Sequence, residues 1–250
     1  MSVQRAALVT GAGKGIGLAA ALKLLQDGRA VAMVDRNPID IAALIPAQYQ
    51  PLARAYTVDV ADAPAVEECL NSVRRDLGQV SILVNNAGVS PKTDGKSSGL
   101  LEVTDPEWDL VMDVNVKAVV RLCQLCVPAM KAERFGRIVN VSSLAGRTKS
   151  VVSGISYMAS KSAVLGLSRS IASEMGPHGI TVNCVAPGRI LTEMAMQAGP
   201  EVNERYAQAI PVRRLGTPQE VGEAIAFLCQ DSAGFINGAV IDINGGFFMP

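Results

Sequence analysis

Apolar runs of strand length recur along the chain, at residues 6–10, 30–35, 53–59, 82–85, 137–141, 181–186 and 240–243. Most are rich in Val and Ile and nearly continuous rather than alternating, the pattern of strands covered on both faces. Between them lie segments with apolar residues at helical period: 16–27, 63–77, 107–131, 157–175 and 219–228. Alternating strands and helices call for a parallel sheet joined by right-handed crossovers. The predicted fold is α/β, a single Rossmann-type doubly wound parallel sheet of about seven strands with helices on both faces. No Pro/Ser-rich linker divides the chain and no repeat recurs, so residues 1–250 are predicted to form one domain that serves both binding and chemistry.

Two stretches break the rhythm. Residues 89–105 (VSPKTDGKSSGLLEVTD) are polar and follow a predicted strand; residues 188–218 follow the sixth strand and hold only a short helix candidate near 201–209. Both begin at the carboxyl end of a strand, where ligands bind in open α/β sheets. Long connections of this kind are usually lids or binding loops.

Composition narrows the function classes. The chain is 49% hydrophobic, enough for a large core, and its 23 basic residues balance 23 acidic ones. There is no overall field to attract nucleic acid or an anionic membrane surface, and neither is predicted as a partner. The opening MSVQRAALVTGAG lacks the apolar core and cleavage site of a secretory signal, so a soluble, cytoplasmic protein is expected. Cys123 and Cys126 have the spacing of a redox or zinc pair, yet they lie in an apolar stretch at helical period with no second pair and no His nearby. The sequence therefore reads them as core of a helix and predicts no metal. His178, in a turn, reads as a surface residue.

Candidate chemistry begins at TGAGKGIG, residues 10–17. Gly11, Gly13, Gly15 and Gly17 fall between a strand and the helix that Ile16 begins. Glycine there permits a tight turn and lets backbone N–H groups approach a pyrophosphate at the positive end of the helix. The next strand ends in Asp35, about 20 residues on, where a carboxylate meets adenosine ribose hydroxyls. Such an acid repels the 2′-phosphate of NADP at closest range, so NAD is the predicted cofactor. Lys14 and Arg36 are the two cations able to pair with that phosphate, which keeps NADP as the other possibility.

Downstream, Tyr157 and Lys161 stand four residues apart on a predicted helix and so share a face. A phenol titrates near 10, and an ammonium within a few ångströms lowers that value, so Tyr157 is expected to have a depressed pKa and to act as acid/base. Ser143, at the end of the fifth strand, is placed to hold a substrate oxygen.

With these residues in hand, the chain resembles the short-chain dehydrogenases/reductases, and among them 3-oxoacyl-reductase-like members. The resemblance runs through TGAGKGIG, the NNAG of residues 85–88, Asn115 in MDVNVKA, VSSLAG, the SYMASK of residues 156–161, VAPG at 185–188 and the closing DINGG. It implies that Ser143, Tyr157, Lys161 and Asn115 form the catalytic set. Lys161 would bind the nicotinamide ribose and Asn115 support a water relay. The family spacing to Gly146 selects Ser143 over Ser142. The resemblance also implies that Asp59 and Val60 flank the adenine, that Asn86, Ala87 and Gly88 lie beside the adenosine ribose, and that Ile190 and Thr192, after the cofactor-binding Pro187 and Gly188, hold the carboxamide. Family members of this layout are usually homotetramers built on their two long helices and C-terminal strand region. One departure is a longer segment between NNAG and Asn115 carrying Lys92, Asp94 and Lys96, able to reshape the entrance to the pocket.

The function read from the sequence is hydride transfer between NAD(H) and a small-molecule secondary alcohol or ketone, with Tyr157 as acid/base. An NADPH-dependent 3-oxoacyl reductase of fatty-acid or polyketide synthesis is the alternative within enzymes. A non-catalytic dinucleotide-sensing protein is the alternative outside them, and the presence of Ser143, Tyr157, Lys161 and Asn115 counts against it.

Overall fold

The computed structural model describes residues 5–93, 95–196 and 199–250. Its strands are β1 (Ala6–Thr10), β2 (Ala30–Asp35), β3 (Ala53–Thr57), β4 (Val80–Asn85), β5 (Gly136–Val141), β6 (Ile180–Pro187) and β7 (Val240–Ile243). All pair in parallel, in the order β3-β2-β1-β4-β5-β6-β7. The winding reverses between β1 and β4, which leaves a crevice at the carboxyl ends of those two strands.

The helices are α1 (Gly15–Gln26), α2 (Ile41–Leu44), α3 (Ala63–Leu77), α4 (Asp105–Met112), α5 (Ala118–Glu133), α6 (Ile155–Met175), α7 (Glu193–Met196), α8 (Pro200–Ala209) and α9 (Pro218–Leu228). Successive strand residues face opposite sides, so β1 feeds two cores. Ala7 and Val9 join Leu24, Leu25, Val221 and Ile225 of α1 and α9 on one face. Leu8 joins Leu70, Leu122, Cys126 and Ala172 of α3, α5 and α6 on the other. This two-sided burial is why the strands read as unbroken apolar runs. Helix starts are marked as well: Asp62 and Thr104 cap α3 and α4, and Thr217 with Glu220 forms a capping box on α9.

Several boundaries differ from the sequence expectation. The third strand stops at Thr57, because it is the sheet's edge and only Ala53 in it is buried, so Asp59 stands in the following loop. The predicted helix 107–131 starts at Asp105 and is not one regular helix. Residues Asp113–Lys117 form a π turn between α4 and α5, in which the Ala118 N–H reaches back five residues to the Asp113 carbonyl. Hydrophobic period cannot reveal one extra residue in a turn. Helix α2 and the 3-10 turn Ala47–Leu52 bury no residue and left no period to read. The 188–218 segment carries α7 as well as α8. Asp94 lies outside the described residues. Cys123 and Cys126 are buried in α5, and desolvation pushes both thiols up to about 12, so they remain protonated core residues. Among the described residues no helix is long and apolar enough to cross a membrane.

A polar ladder crosses the interior behind the crevice. Asn85 Nδ2 donates to Asn140 Oδ1 at 2.8 Å, Asn140 Nδ2 donates to Ser168 Oγ at 2.8 Å, and Ser168 Oγ donates to the Val164 carbonyl at 2.7 Å. It fixes β4, β5 and α6 relative to one another. Asn140→Ala strands two buried partners, at a cost of about 1–3 kcal/mol. Thermal denaturation is expected to show a melting temperature lower by roughly 2–10 °C; an unchanged value would mean that the ladder carries no stability.

Candidate active site

The glycine loop folds as its spacing requires. A side-chain carbon on Gly17 would lie 2.1 Å from the Gly11 carbonyl oxygen and 2.5 Å from Asn86 Nδ2, so only glycine lets α1 start this close to β1. Helix α1 has Lys14 at its N-cap and no side-chain cap, unlike α3, α4 and α9. Its first-turn N–H groups, from Gly15, Ile16 and Gly17, are therefore available to an anion, and the helix dipole favours one. The cradle fits a dinucleotide pyrophosphate.

Asp35 is held beside this loop. Its Oδ2 accepts the Gly13 N–H and its Oδ1 accepts the Asn37 N–H, each at 3.0 Å. The carboxylate thus shapes the loop and keeps its remaining lone pairs for hydroxyl donors. Arg36 is exposed beside it. Lys14, read from the sequence as able to pair with a phosphate, sets its Nζ 2.5 Å from Glu193 Oε2 on the exposed side of the loop. Thr192 lies against the same loop, its Cγ2 3.4 Å from where a side chain on Gly15 would begin. The segment after β6 therefore folds back over the cradle.

Other expected positions fall around the crevice with distinct jobs. Asn86 Nδ2 donates to the Thr10 and Gly11 carbonyls, and Thr10 Oγ1 accepts the N–H groups of Asn86 and Ala87. Asp59 Oδ1 accepts the Ala61 N–H, while Val60 is buried with Val114 and Ala118. Pro187 ends β6, the Gly188 N–H donates to the Ile243 carbonyl at 2.9 Å, and Ile190 is buried.

The second cluster sits at the end of β5. Ser142 is turned into the core, its hydroxyl donating to the Lys161 carbonyl at 2.8 Å. Ser143 caps a short 3-10 turn through the Ala145 N–H, and its hydroxyl is close enough to the Tyr157 phenol to favour the phenolate. Lys161 is buried, with Nζ donating to the Val141 carbonyl at 2.8 Å and standing 5.7 Å from the Tyr157 ring centroid. A side chain on Gly88 would begin 3.3 Å from both Lys161 Nζ and Asn115 Oδ1. The fold thus gathers Ser143, Tyr157, Lys161, Gly88 and Asn115 in one place.

One expectation is overturned. Tyr157 is not depressed by Lys161: burial pushes its phenol above the usual value, opposed only by the Ser143 hydroxyl. The same desolvation pulls Lys161 down to about 8. A low-dielectric pocket penalises phenolate and ammonium alike, and the ammonium directs its hydrogen bond at Val141, not at the phenol. At neutral pH the site presents a protonated phenol, able to give a proton to a developing alkoxide.

Asn115 stands within the π turn, fully buried. Its amide accepts the Val89 N–H at 2.8 Å and donates to the Val89 carbonyl and Ser160 Oγ, both at 3.0 Å. Glu107 was not singled out by sequence. Its carboxylate accepts Ser98 Oγ at 2.5 Å and Ser156 Oγ at 2.8 Å, clasping the 89–105 loop to the residue before Tyr157. The Ser97 hydroxyl and the Val152 carbonyl add a second tie at 3.0 Å. No motif spacing signals such a contact, because its partners are far apart in the chain.

Comparison with known proteins agrees with this geometry. A family model described as enoyl-(acyl carrier protein) reductase matches residues 11–248. The chain is similar to a 3-oxoacyl-[acyl-carrier-protein] reductase from Staphylococcus aureus, with 35% identity over all of both chains. Among solved structures it is similar to a 3-oxoacyl-[acyl-carrier protein] reductase with bound NAD from Brucella melitensis, at 35% identity, TM-score 0.90, covering 100% of this chain and 93% of that one. It is also similar to ElxO with NADP bound, at 31% identity and TM-score 0.88, covering 98% of this chain and 99% of that one.

The burial of Lys161 gives stability a pH signature. The folded chain releases this proton near 8, whereas the unfolded chain holds it to about 10.4. Between those values the unfolded state binds more protons, so this residue's contribution to stability rises with pH. Lys161→Met removes a cost of about 3 kcal/mol present below pH 8. Its stability relative to the native protein, measured by denaturant unfolding, should therefore decline from pH 8 to 10.5. A difference independent of pH would show that Lys161 is not buried as an ammonium.

Proposed function

This chain belongs to the short-chain dehydrogenase/reductase family, and we propose that it transfers hydride between NAD(H) and a secondary alcohol or ketone within one domain, residues 1–250. The observation that carries the reading is the convergence of a protonated, half-buried Tyr157, Ser143 and Lys161 beside an uncapped glycine-loop helix. The dinucleotide supplies or takes the hydride. Tyr157 gives the substrate oxygen its proton in the reducing direction and takes it back in the oxidising one. Ser143 orients that oxygen. Lys161, with Gly88 beside it, holds the nicotinamide ribose, and Asn115 keeps the Val89 backbone in position and leads the proton path toward solvent.

For the cofactor, Gly11, Lys14, Gly15, Ile16, Gly17, Asp35, Arg36, Asp59, Val60, Asn86, Ala87, Gly88, Pro187, Gly188, Ile190 and Thr192 are the residues we assign. Asp35 favours NAD over NADP, and the engagement of Lys14 by Glu193 leaves Arg36 as the remaining cation nearby. The names of the relatives favour a 3-oxoacyl-[acyl-carrier-protein] as the alternative substrate class, with NADPH as the alternative cofactor. We place the enzyme in the cytoplasm and assemble it as a homotetramer. The exposed Phe235, Phe247 and Met249 near β7 and the exposed Trp108 and Leu110 of α4 support such contacts.

Two measurements test this. Tyr157→Phe keeps the ring and removes the proton, so kcat should fall by about two to four orders of magnitude with cofactor binding retained; a variant with a third of native activity would sink the assignment. For the cofactor, native kcat/KM should be higher with NAD(H), and Asp35→Asn, which keeps an acceptor for the loop while removing the charge, should narrow the preference. A native preference for NADP(H) of about tenfold or more, an energy of about 1.4 kcal/mol, would overturn the Asp35 argument and bring the 3-oxoacyl reading forward.

A further inference from the structure

Two cations beyond the carboxyl edge of the sheet have no place in this chemistry. Lys92 stands in the 89–105 loop after β4, and Arg189 follows β6 by two residues. Because β4 and β6 flank β5, the two are delivered to the carboxyl edge of the sheet on either side of the strand that leads to Ser143. Both are half-buried.

Their surroundings are built rather than loose. Arg189 Nε donates to Asn203 Oδ1 at 2.9 Å, Nη2 donates to the Ala195 carbonyl at 2.7 Å, and the guanidinium lies 5.3 Å from the Tyr206 ring centroid. Asn203 is itself buried. Arg189 Nη1 has no hydrogen-bond partner among the described residues, and neither has Lys92 Nζ. The loop carrying Lys92 is fixed by the Glu107 clasp and by the Ile155 N–H, which donates to the Ser98 carbonyl at 3.2 Å.

Charge is unbalanced here. Burial, and after it the charge of Arg189, hold Lys92 below its usual range. Among the described residues, Glu193 is engaged by Lys14, Glu220 by Arg214 and Glu107 by two serines. Two like charges in a partly desolvated cleft repel, and an anion between them turns that repulsion into binding.

We propose that Lys92 and Arg189 form an anion-recognising pair, and that the ketone or alcohol acted on here carries an acidic group, a carboxylate or a phosphate, held by that pair while its carbonyl meets Tyr157. The inference rests on the dehydrogenase reading above and names the substrate class for it. Anchoring at the far end of the substrate would select which ketone is reduced without touching the reacting atoms.

The test is a panel of keto acids, their methyl esters, coenzyme A thioesters of the same chains and simple neutral ketones, assayed with the native enzyme, Lys92→Met, Lys92→Arg and Arg189→Met. The native enzyme should prefer an anionic member over the neutral ester by about ten- to a hundredfold in kcat/KM, the worth of one charge-assisted hydrogen bond. The effect should lie mainly in KM. Lys92→Met should erase most of this preference and Lys92→Arg restore it. A preference for free acids places a carboxylate at the pair, and a preference for thioesters that Lys92→Met removes places a phosphate there. Neutral esters and ketones used as well as both the free acids and the thioesters, or a preference that survives Lys92→Met, overturns the proposal and leaves the dehydrogenase reading standing. Turnover of no ketone or alcohol in the panel overturns both. Lys92 has no hydrogen-bond partner to lose among the described residues, so its variant decides the matter even if Arg189→Met fails to fold.

Discussion

The hydroxyl of Thr10 sits where the sheet reverses its winding, and it is saturated. It accepts the N–H groups of Asn86 and Ala87, each at 3.0 Å, and reaches the Val84 carbonyl at 3.4 Å. Those bonds bind the end of β1 to the segment leaving β4. On one side of them stands the glycine loop with Asp35; on the other stand Gly88, Lys161 and Asn115. Binding groups and proton chemistry are thereby held to a common frame. A buried hydroxyl with all its partners is stiff, and a partly satisfied one would cost stability and precision together.

Desolvation is the second organising force. The pocket that raises Tyr157 also lowers Lys161, and the two shifts bring both groups closer to neutral forms. Charge at the centre of the site is therefore small before substrate arrives, while charge at the rim, at Lys92 and Arg189, is large. An arrangement of that sort binds by its edge and reacts at its middle. It also accounts for why the phenol is an acid at neutral pH.

Much of this was legible in the chain. The strands showed because each is buried on both faces, and the glycine loop showed because a side chain at Gly17 would collide with the Gly11 carbonyl. Tyr157 and Lys161 showed because four residues is one helical turn. What the sequence hid depends on distance through space. The pairing of Lys14 with Glu193 joins residues 179 apart in the chain, and the Glu107 clasp joins three segments with no shared motif. The direction of the Tyr157 shift was misread because an adjacent ammonium is visible in sequence, while the depth of its pocket is not.

The π turn at Asp113–Lys117 acts as a phase shifter. Each residue of an α-helix advances the side-chain direction by about 100°, so one residue too many between α4 and α5 sets the angle between what lies before it and what lies after. Ahead of it, Glu107 points toward the loop and toward Ser156; behind it, Cys123, Cys126 and Met130 point into the core. A regular helix of the same composition could satisfy one of those faces and not the other. Deleting one residue within the turn would leave a regular helix with both faces in register, whereas deleting one elsewhere in α4 or α5 would rotate everything on one side of it by about 100°.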